Sequence, residues 1–220
     1  VLDDLPAMDD ATERRGAPPT HVQFGEATAV LAAISLLNEG YRILASLEGV
    51  APRAAAAATY EMTEAVGVAG LTSGQWRDLN PLPDADAATI AETHAGKTGA
   101  LFGAALAIPG ALAGQTEGHV AKLRAAGIEI GTAFQGYDDL LDRYAKRAVI
   151  GKDTAADQNR RTVADVMDRE AALVWCGMHL RRSVDALAAM GLSNSLTATY
   201  IEGLAAALSA PLEIDPRRIA

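Results

Sequence analysis

Apolar side chains along this chain recur at intervals of three and four, and no segment sustains an interval of two. That rhythm belongs to amphipathic helices and argues against a sheet. It predicts a long helix over Phe24 to Leu47 and a second over Pro52 to Ala69, carried by the alanine run Ala54 to Ala58. Asn80-Pro81-Leu82-Pro83-Asp84 breaks the pattern, and Asp84 or Asp86 can cap the next helix. That third helix is expected over Ala85 to Ala107, a fourth over Thr116 to Tyr144, and a fifth over Thr162 to Met190, stopped by Gly191. Asn194 or Ser195 can cap a last helix ending near Leu208, before Pro211. No repeat or low-complexity linker divides the chain, so the expectation is one all-α domain over residues 1–220.

Composition sharpens this picture. Half of the 220 residues are hydrophobic but only 5% are aromatic, so alanine and branched aliphatics must fill the core, which favours closely packed helices. Lys and Arg number 19 against 28 Asp and Glu, a formal net charge of -9. Such a chain is repelled by phosphate backbones and anionic lipid, which disfavours nucleic-acid and membrane-surface roles. Thr98 to Thr116 lacks any charged residue and approaches the length of a membrane span. Pro109-Gly110 interrupts it and its apolar residues are mostly alanine and glycine. It reads as a helix buried on all sides in a core, so no integral membrane segment is expected and the location is expected to be cytoplasmic. The single cysteine, Cys176, excludes an intrachain disulfide and a thiolate metal site. His21, His94, His119 and His179 show no paired metal spacing and read as structural, as do Trp76 and Trp175.

Two acidic clusters carry candidate chemistry. The first is Asp3-Asp4-Leu5-Pro6-Ala7-Met8-Asp9-Asp10. Pro6 disfavours helical geometry at Leu5, and only a kink after Asp4 brings Asp9 back beside Asp3. A solvated acidic turn has the same composition; the adjoining Arg14-Arg15-Gly16 suits an anion held beside a metal. The second is Phe134-Gln135-Gly136-Tyr137-Asp138-Asp139-Leu140-Leu141-Asp142, in which Asp138 and Asp142 share a helical face. Val120, Leu123, Gly127, Ile130, Phe134, Tyr137 and Leu141 mark an inward stripe, and Asp138 falls on it. A carboxylate facing the core must be neutralised or bind a metal. Carboxylates without His or Cys nearby are hard ligands suited to Mg²⁺. Lys97 in Gly96-Lys97-Thr98-Gly99, Lys152 in Gly151-Lys152-Asp153, and Arg160-Arg161 then become candidate phosphate partners. Ser73 to Asp78 reads as a helix junction with polar contacts to the site, and Cys176 as an inert buried thiol.

These residues, in this order, resemble the trans-polyprenyl diphosphate synthases, in particular the bacterial farnesyl and geranylgeranyl diphosphate synthases, whose first motif also carries a two-residue insertion. The resemblance runs from Asp3 to about Arg161 and includes His21-Val22-Gln23-Phe24-Gly25-Glu26-Ala27. It implies an isoprenoid-synthase helical bundle with a central active-site cavity, a homodimer, and three Mg²⁺ ions with bound diphosphate. By that resemblance, Asp3 and Asp9 hold two Mg²⁺ ions with Asp4 supporting, and the second motif (Asp138, Asp139, Asp142) holds the third, through Asp138. Arg14, Lys97 and Lys152 would bind an allylic diphosphate, Arg15 the diphosphate of isopentenyl diphosphate, with Phe134 and Arg160 also lining the substrate site. Lys97, Thr98 and Gln135 would be catalytic, steadying an allylic cation that the double bond of isopentenyl diphosphate attacks.

The chain departs from that pattern in two places. Ala33-Ile34 stands where Gly-Asp is frequent, and Arg160 where a lysine is usual. The resemblance implies helices with further basic residues before the first motif, which lie outside residues 1–220. Ala29, Ala32 and Ala33 leave room for a longer product, so geranylgeranyl is expected over farnesyl. The alternatives are a class I terpene cyclase, weakened by the complete second motif and the Lys-Thr-Gly segment, and a non-catalytic regulatory subunit, weakened by two intact aspartate motifs.

Overall fold

A computed structural model describes residues 1–144, 161–193 and 195–209. Lys152, Arg160 and Asn194 lie outside the described residues. Ten α-helices are present among the described ones: α1 (Thr20–Phe24), α2 (Glu26–Ala45), α3 (Pro52–Val66), α4 (Leu71–Leu79), α5 (Ala87–His94), α6 (Ala100–Leu112), α7 (Glu117–Tyr144), α8 (Val163–Val166), α9 (Arg169–Ala189) and α10 (Leu196–Ser209). No strand occurs among them, as the apolar rhythm predicted.

Helix α7 is the axis of the fold. Helix α6 packs along one side of it and α9 along another, while α3 backs α6 from outside. The main core forms where α7 meets α9, around Ile130, Tyr137, Leu140, Leu173, Cys176, Leu180 and Leu187. A second, smaller core of Ala58, Ala107, Ala111 and Val120 joins α3, α6 and α7. Helix α3 is also bound by charge: Arg124 of α7 donates Nε to Glu61 Oε2 (2.7 Å) and Nη2 to Oε1 (2.6 Å). Glu61 is buried, so this fork offsets a cost that an isolated carboxylate there would carry.

The boundaries differ from expectation where local chemistry overrides the apolar pattern. Gly25, at φ 87°, separates α1 from α2. Ser73 to Asp78 forms part of helix α4. The expected fifth helix is split, because Thr162 and Asp165 form a capping box for α8 and Asp168 then accepts from the Ala171 N–H to start α9. Asp86 caps α5, and Ser195 Oγ accepts from the Ala198 N–H to start α10.

The third helix is the largest correction. Helices α5 and α6 form one continuous rod, Ala87–Leu112, joined by a π turn at Ala95–Gly99, and Pro109 sits inside it instead of ending it. By length and composition this rod could cross a membrane. It packs against α3, α4 and α7. It is not buried on all sides, since Leu101, Ala105 and Pro109 face outward.

Glycines let this rod approach its neighbours. A Cβ on Gly131 would lie 2.5 Å from Gly99 Cα, and one on Gly127 would lie 2.7 Å from Gly103 Cα and collide with the Phe102 carbonyl. On the opposite flank, a Cβ on Gly74 of α4 would overlap the backbone nitrogen of Lys97. Gly127→Ala should therefore destabilise the protein by about 3 kcal/mol, because the obstruction is backbone that cannot move aside. Gly118→Ala, in the first turn of α7 with nothing within 4 Å, should be neutral or stabilise by up to ~1 kcal/mol. Urea denaturation of both variants checks the contrast.

Candidate active site

The site grows around the π turn. Successive side chains on a helical turn point in different directions, and Lys97 and Thr98 use that to reach different helices. Lys97 Nζ donates to Asp78 Oδ2 of α4 at 2.6 Å, with both side chains largely buried. Thr98 Oγ1 donates to Gln135 Oε1 of α7 at 2.8 Å. One and two turns further along α7 from Gln135, Asp138 and Asp142 lie on the same face, half-buried. Phe134 packs its ring on Phe102 of α6, centroids 5.6 Å apart.

The first acidic cluster folds as the kink required. The Asp9 N–H donates to the Asp3 carbonyl (3.0 Å), the Asp10 N–H to Leu5 and the Ala11 N–H to Asp4, so the chain doubles back with Asp10 at φ 47°. Arg14 then closes the loop by side chain: Nε donates to Asp4 Oδ1 at 2.6 Å and Nη2 to Asp3 Oδ2 at 3.2 Å. Burial pulls the Arg14 pKa down, but its hydrogen bond to Asp4 and the charges of Asp4 and Asp3 outweigh that and leave it raised. Arg14, Arg15, Gly16 and Ala17 form a two-residue hairpin with φ 54° at Arg15 and 77° at Gly16, the signs of a type I′ turn. Arg15 is exposed at its tip.

Helix α4 links the loop to the π turn. Gln75 Nε2 donates to Asp3 Oδ1 at 3.4 Å, one turn before Asp78 reaches Lys97. The polar contacts anticipated for Ser73 to Asp78 are thus made by Gln75 and Asp78. Asp3, Lys97, Thr98 and Gln135 are joined through α4 and the π turn.

One sequence inference reverses. Asp139, not Asp138, is the buried carboxylate of the second cluster, 8% exposed. The stripe drawn from periodicity assumed one covered face, whereas α9 covers a second one: a Cβ on Gly136 would meet Trp175 at 2.6 Å and Cys176 Sγ at 2.8 Å. Asp139 Oδ2 accepts from the buried Val163 N–H (3.1 Å) and lies 3.3 Å from His94 Nε2, while Oδ1 accepts from Gln135 Nε2 (3.5 Å). Asp4 is likewise buried and engaged by Arg14. Among the described residues, no three Asp, Glu, His or Cys side chains converge as a metal cage. Mg²⁺ is commonly held by one or two carboxylates together with phosphate oxygens. Asp3, Asp9, Asp138 and Asp142 are the more accessible hard-oxygen donors that suit such an ion; the burial of Asp4 and Asp139 suits a supporting role better.

Comparison with known proteins decides what this arrangement belongs to. The sequence profile described as polyprenyl synthetase matches residues 1–166. The chain belongs to that family. It is 38% identical to a geranylgeranyl diphosphate synthase of Pseudescherichia vulneris, over 78% of this chain and 55% of that protein. It is 41% identical to the farnesyl diphosphate synthase of Escherichia coli K12, over 72% of this chain and 54% of that one. This polyprenyl synthetase chain thus spans little more than half the length of those relatives. In three dimensions it superposes on a geranyltransferase from Legionella pneumophila with TM-score 0.77 and 27% identity, covering 96% of this chain and 69% of that structure. A geranyltransferase from Helicobacter pylori, complexed with magnesium and isoprenyl diphosphate, shares the fold (TM-score 0.75, 24% identity, 96% and 69% covered). The helical isoprenoid-synthase architecture expected from the sequence is the one observed.

Several site features escaped sequence reading. The glycines at Gly99, Gly103, Gly127 and Gly131 recur at intervals of four, a visible sign of close helix approach. Nothing in the sequence pairs His94 with Asp139, because the contact crosses between helices. Burial pushes the Cys176 thiol pKa up, and the charge of Asp139 adds to it. The neutral thiol should therefore resist an aromatic disulfide reagent at pH 8.5 in the folded protein, and react only at the rate of global unfolding.

Proposed function

We propose that this chain is the core of a trans-prenyltransferase that condenses isopentenyl diphosphate with an allylic diphosphate to a short isoprenyl diphosphate, geranylgeranyl before farnesyl. The observation that carries the reading is the Thr98–Gln135 contact beside Lys97, with Asp138 one turn away on the same face of α7. The similarity to geranylgeranyl and farnesyl diphosphate synthases supports it. Residues 1–220 are taken as one polyprenyl synthetase domain.

In this reading, Asp3 and Asp9 hold two Mg²⁺ ions and Asp138 with Asp142 a third. The ions supply charge stabilisation to a departing diphosphate. Lys97, Arg14, Lys152 and Arg160 hold the allylic diphosphate, and exposed Arg15 the second diphosphate. Arg14 and Lys97 would each turn part of their charge from a carboxylate partner towards substrate. The allylic C–O bond breaks with its electron pair leaving on diphosphate. Thr98 has given its hydroxyl hydrogen to Gln135, so its oxygen offers only lone pairs to its surroundings. That polarity suits a neighbouring carbocation. The π electrons of isopentenyl diphosphate form the new C–C bond, and a proton passes to the departed diphosphate. A homodimer in the cytoplasm is part of the proposal; the exposed apolar residues Phe24, Leu31 and Ile34 on α1 and α2 support a protein interface.

The test is chromatography of products from the full-length protein given isopentenyl diphosphate with each allylic primer. Activity should vanish in excess chelator and return with Mg²⁺; turnover in chelator, or no product with any primer, overturns the reading. Asp138→Asn should lower turnover by ~100-fold or more with an unchanged melting temperature. Near-normal turnover would remove Asp138 from the site.

A further inference from the structure

His94 reads from the sequence as structural, and it is buried against an aromatic ring: it is 4% exposed and meets the edge of Trp175, centroids 6.2 Å apart. Its polar engagement is specific, however. Nε2 faces Asp139 Oδ2 at 3.3 Å, while Nδ1 is buried with no hydrogen-bond partner among the described residues. An unsatisfied buried nitrogen is costly, so the histidine is held there by what its other nitrogen does.

Asp139 spends its other oxygen on Gln135. Oδ1 accepts from Gln135 Nε2, and Gln135 Oε1 accepts from Thr98 Oγ1. His94 and Thr98 are four residues apart on one helical rod, and Gln135 and Asp139 are four apart on α7. Three contacts join these four side chains into a loop that only the two helix backbones close. The Val163 N–H, donating to Asp139 Oδ2, locks the loop to the start of α8.

The loop fixes a sign. A glutamine amide can rotate by a half-turn, exchanging its oxygen for its NH₂ group. With Asp139 occupying the NH₂, the oxygen must face Thr98, and the Thr98 hydrogen must point back at it. Without Asp139 held in place, the amide can turn and donate to Thr98, whose own hydrogen then swings outward. The dipole presented at the site would reverse.

We infer that Asp139 and His94 are positioning residues, not metal ligands: together they set the orientation of the Gln135 amide, and through it the electron-rich face of the Thr98 hydroxyl. This rests on the proposed prenyl transfer, in which that face lies against positive charge.

The experiment separates the two ideas by measuring binding apart from turnover. Calorimetry with Mg²⁺ and inorganic pyrophosphate is run on the full-length protein and on Asp138→Asn, Asp139→Asn and His94→Leu. Asp138→Asn should lose affinity by about 10-fold or more, while Asp139→Asn and His94→Leu stay within about 3-fold of the parent. An equal loss in Asp139→Asn would make Asp139 a ligand and overturn the inference. In steady-state assays, His94→Leu should lower kcat by roughly 10- to 100-fold with KM for both diphosphates within about 3-fold, an indirect share of the effect of one preorganised dipole. His94→Gln, whose amide can reach Asp139, should recover most of it. Unchanged kcat in His94→Leu, or no recovery in His94→Gln, would reduce the contact to packing. Should His94→Leu fail to fold, the binding of Asp139→Asn and the kinetics of His94→Gln still decide. A parent protein that binds no Mg²⁺-pyrophosphate and makes no product would instead overturn the functional reading.

Discussion

Everything at the candidate site depends on how closely the Ala87–Leu112 rod lies against α7 and α4. Backbone meets backbone at Gly99–Gly131, Gly103–Gly127 and Gly74–Lys97, where no Cβ intervenes. Side chains as short as threonine and glutamine can therefore bridge the helices directly. With ordinary interhelical distances of about 8–10 Å, set by larger residues, the Thr98–Gln135 contact would need longer partners or water. The π turn adds to this by placing an irregular segment where the contacts are made, a common feature of functional helices.

Charge is handled locally throughout the site. Lys97 is matched by Asp78, and Arg14 by Asp4 and Asp3. Each basic group is thus held in place by a carboxylate distant from it along the chain. In the proposed reaction, a diphosphate would meet oriented cations instead of mobile ones, and less side-chain entropy would be lost in holding it.

The two acidic clusters were legible to different depths. For the first, the proline and the spacing of Asp3, Asp4 and Asp9 were enough to require a chain reversal, and the backbone makes it. For the second, the sequence identified the right helix and the shared face of Asp138 and Asp142, yet chose the wrong buried aspartate. Periodicity reports a single apolar sector, and α7 is covered on two. Asp139 lies on the second sector, among α9 and α8, where its oxygens are satisfied by atoms distant in sequence.

By itself, the sequence determined the helical class, most helix positions, a choice of two capping residues at each of two helix starts, and the two acidic clusters with the basic residues beside them. These come from local rules: periodicity, propensity, turn chemistry and ligand hardness act within a few residues. Only the tertiary structure decided that Pro109 continues a helix, that Arg14 closes onto Asp4, that Asp78 holds Lys97, and that Asp139 joins His94 to Gln135. Most of these are interactions between segments whose separation along the chain carries no information about their separation in space. That distance was fixed by which helix faces could come together, and here glycines decided it.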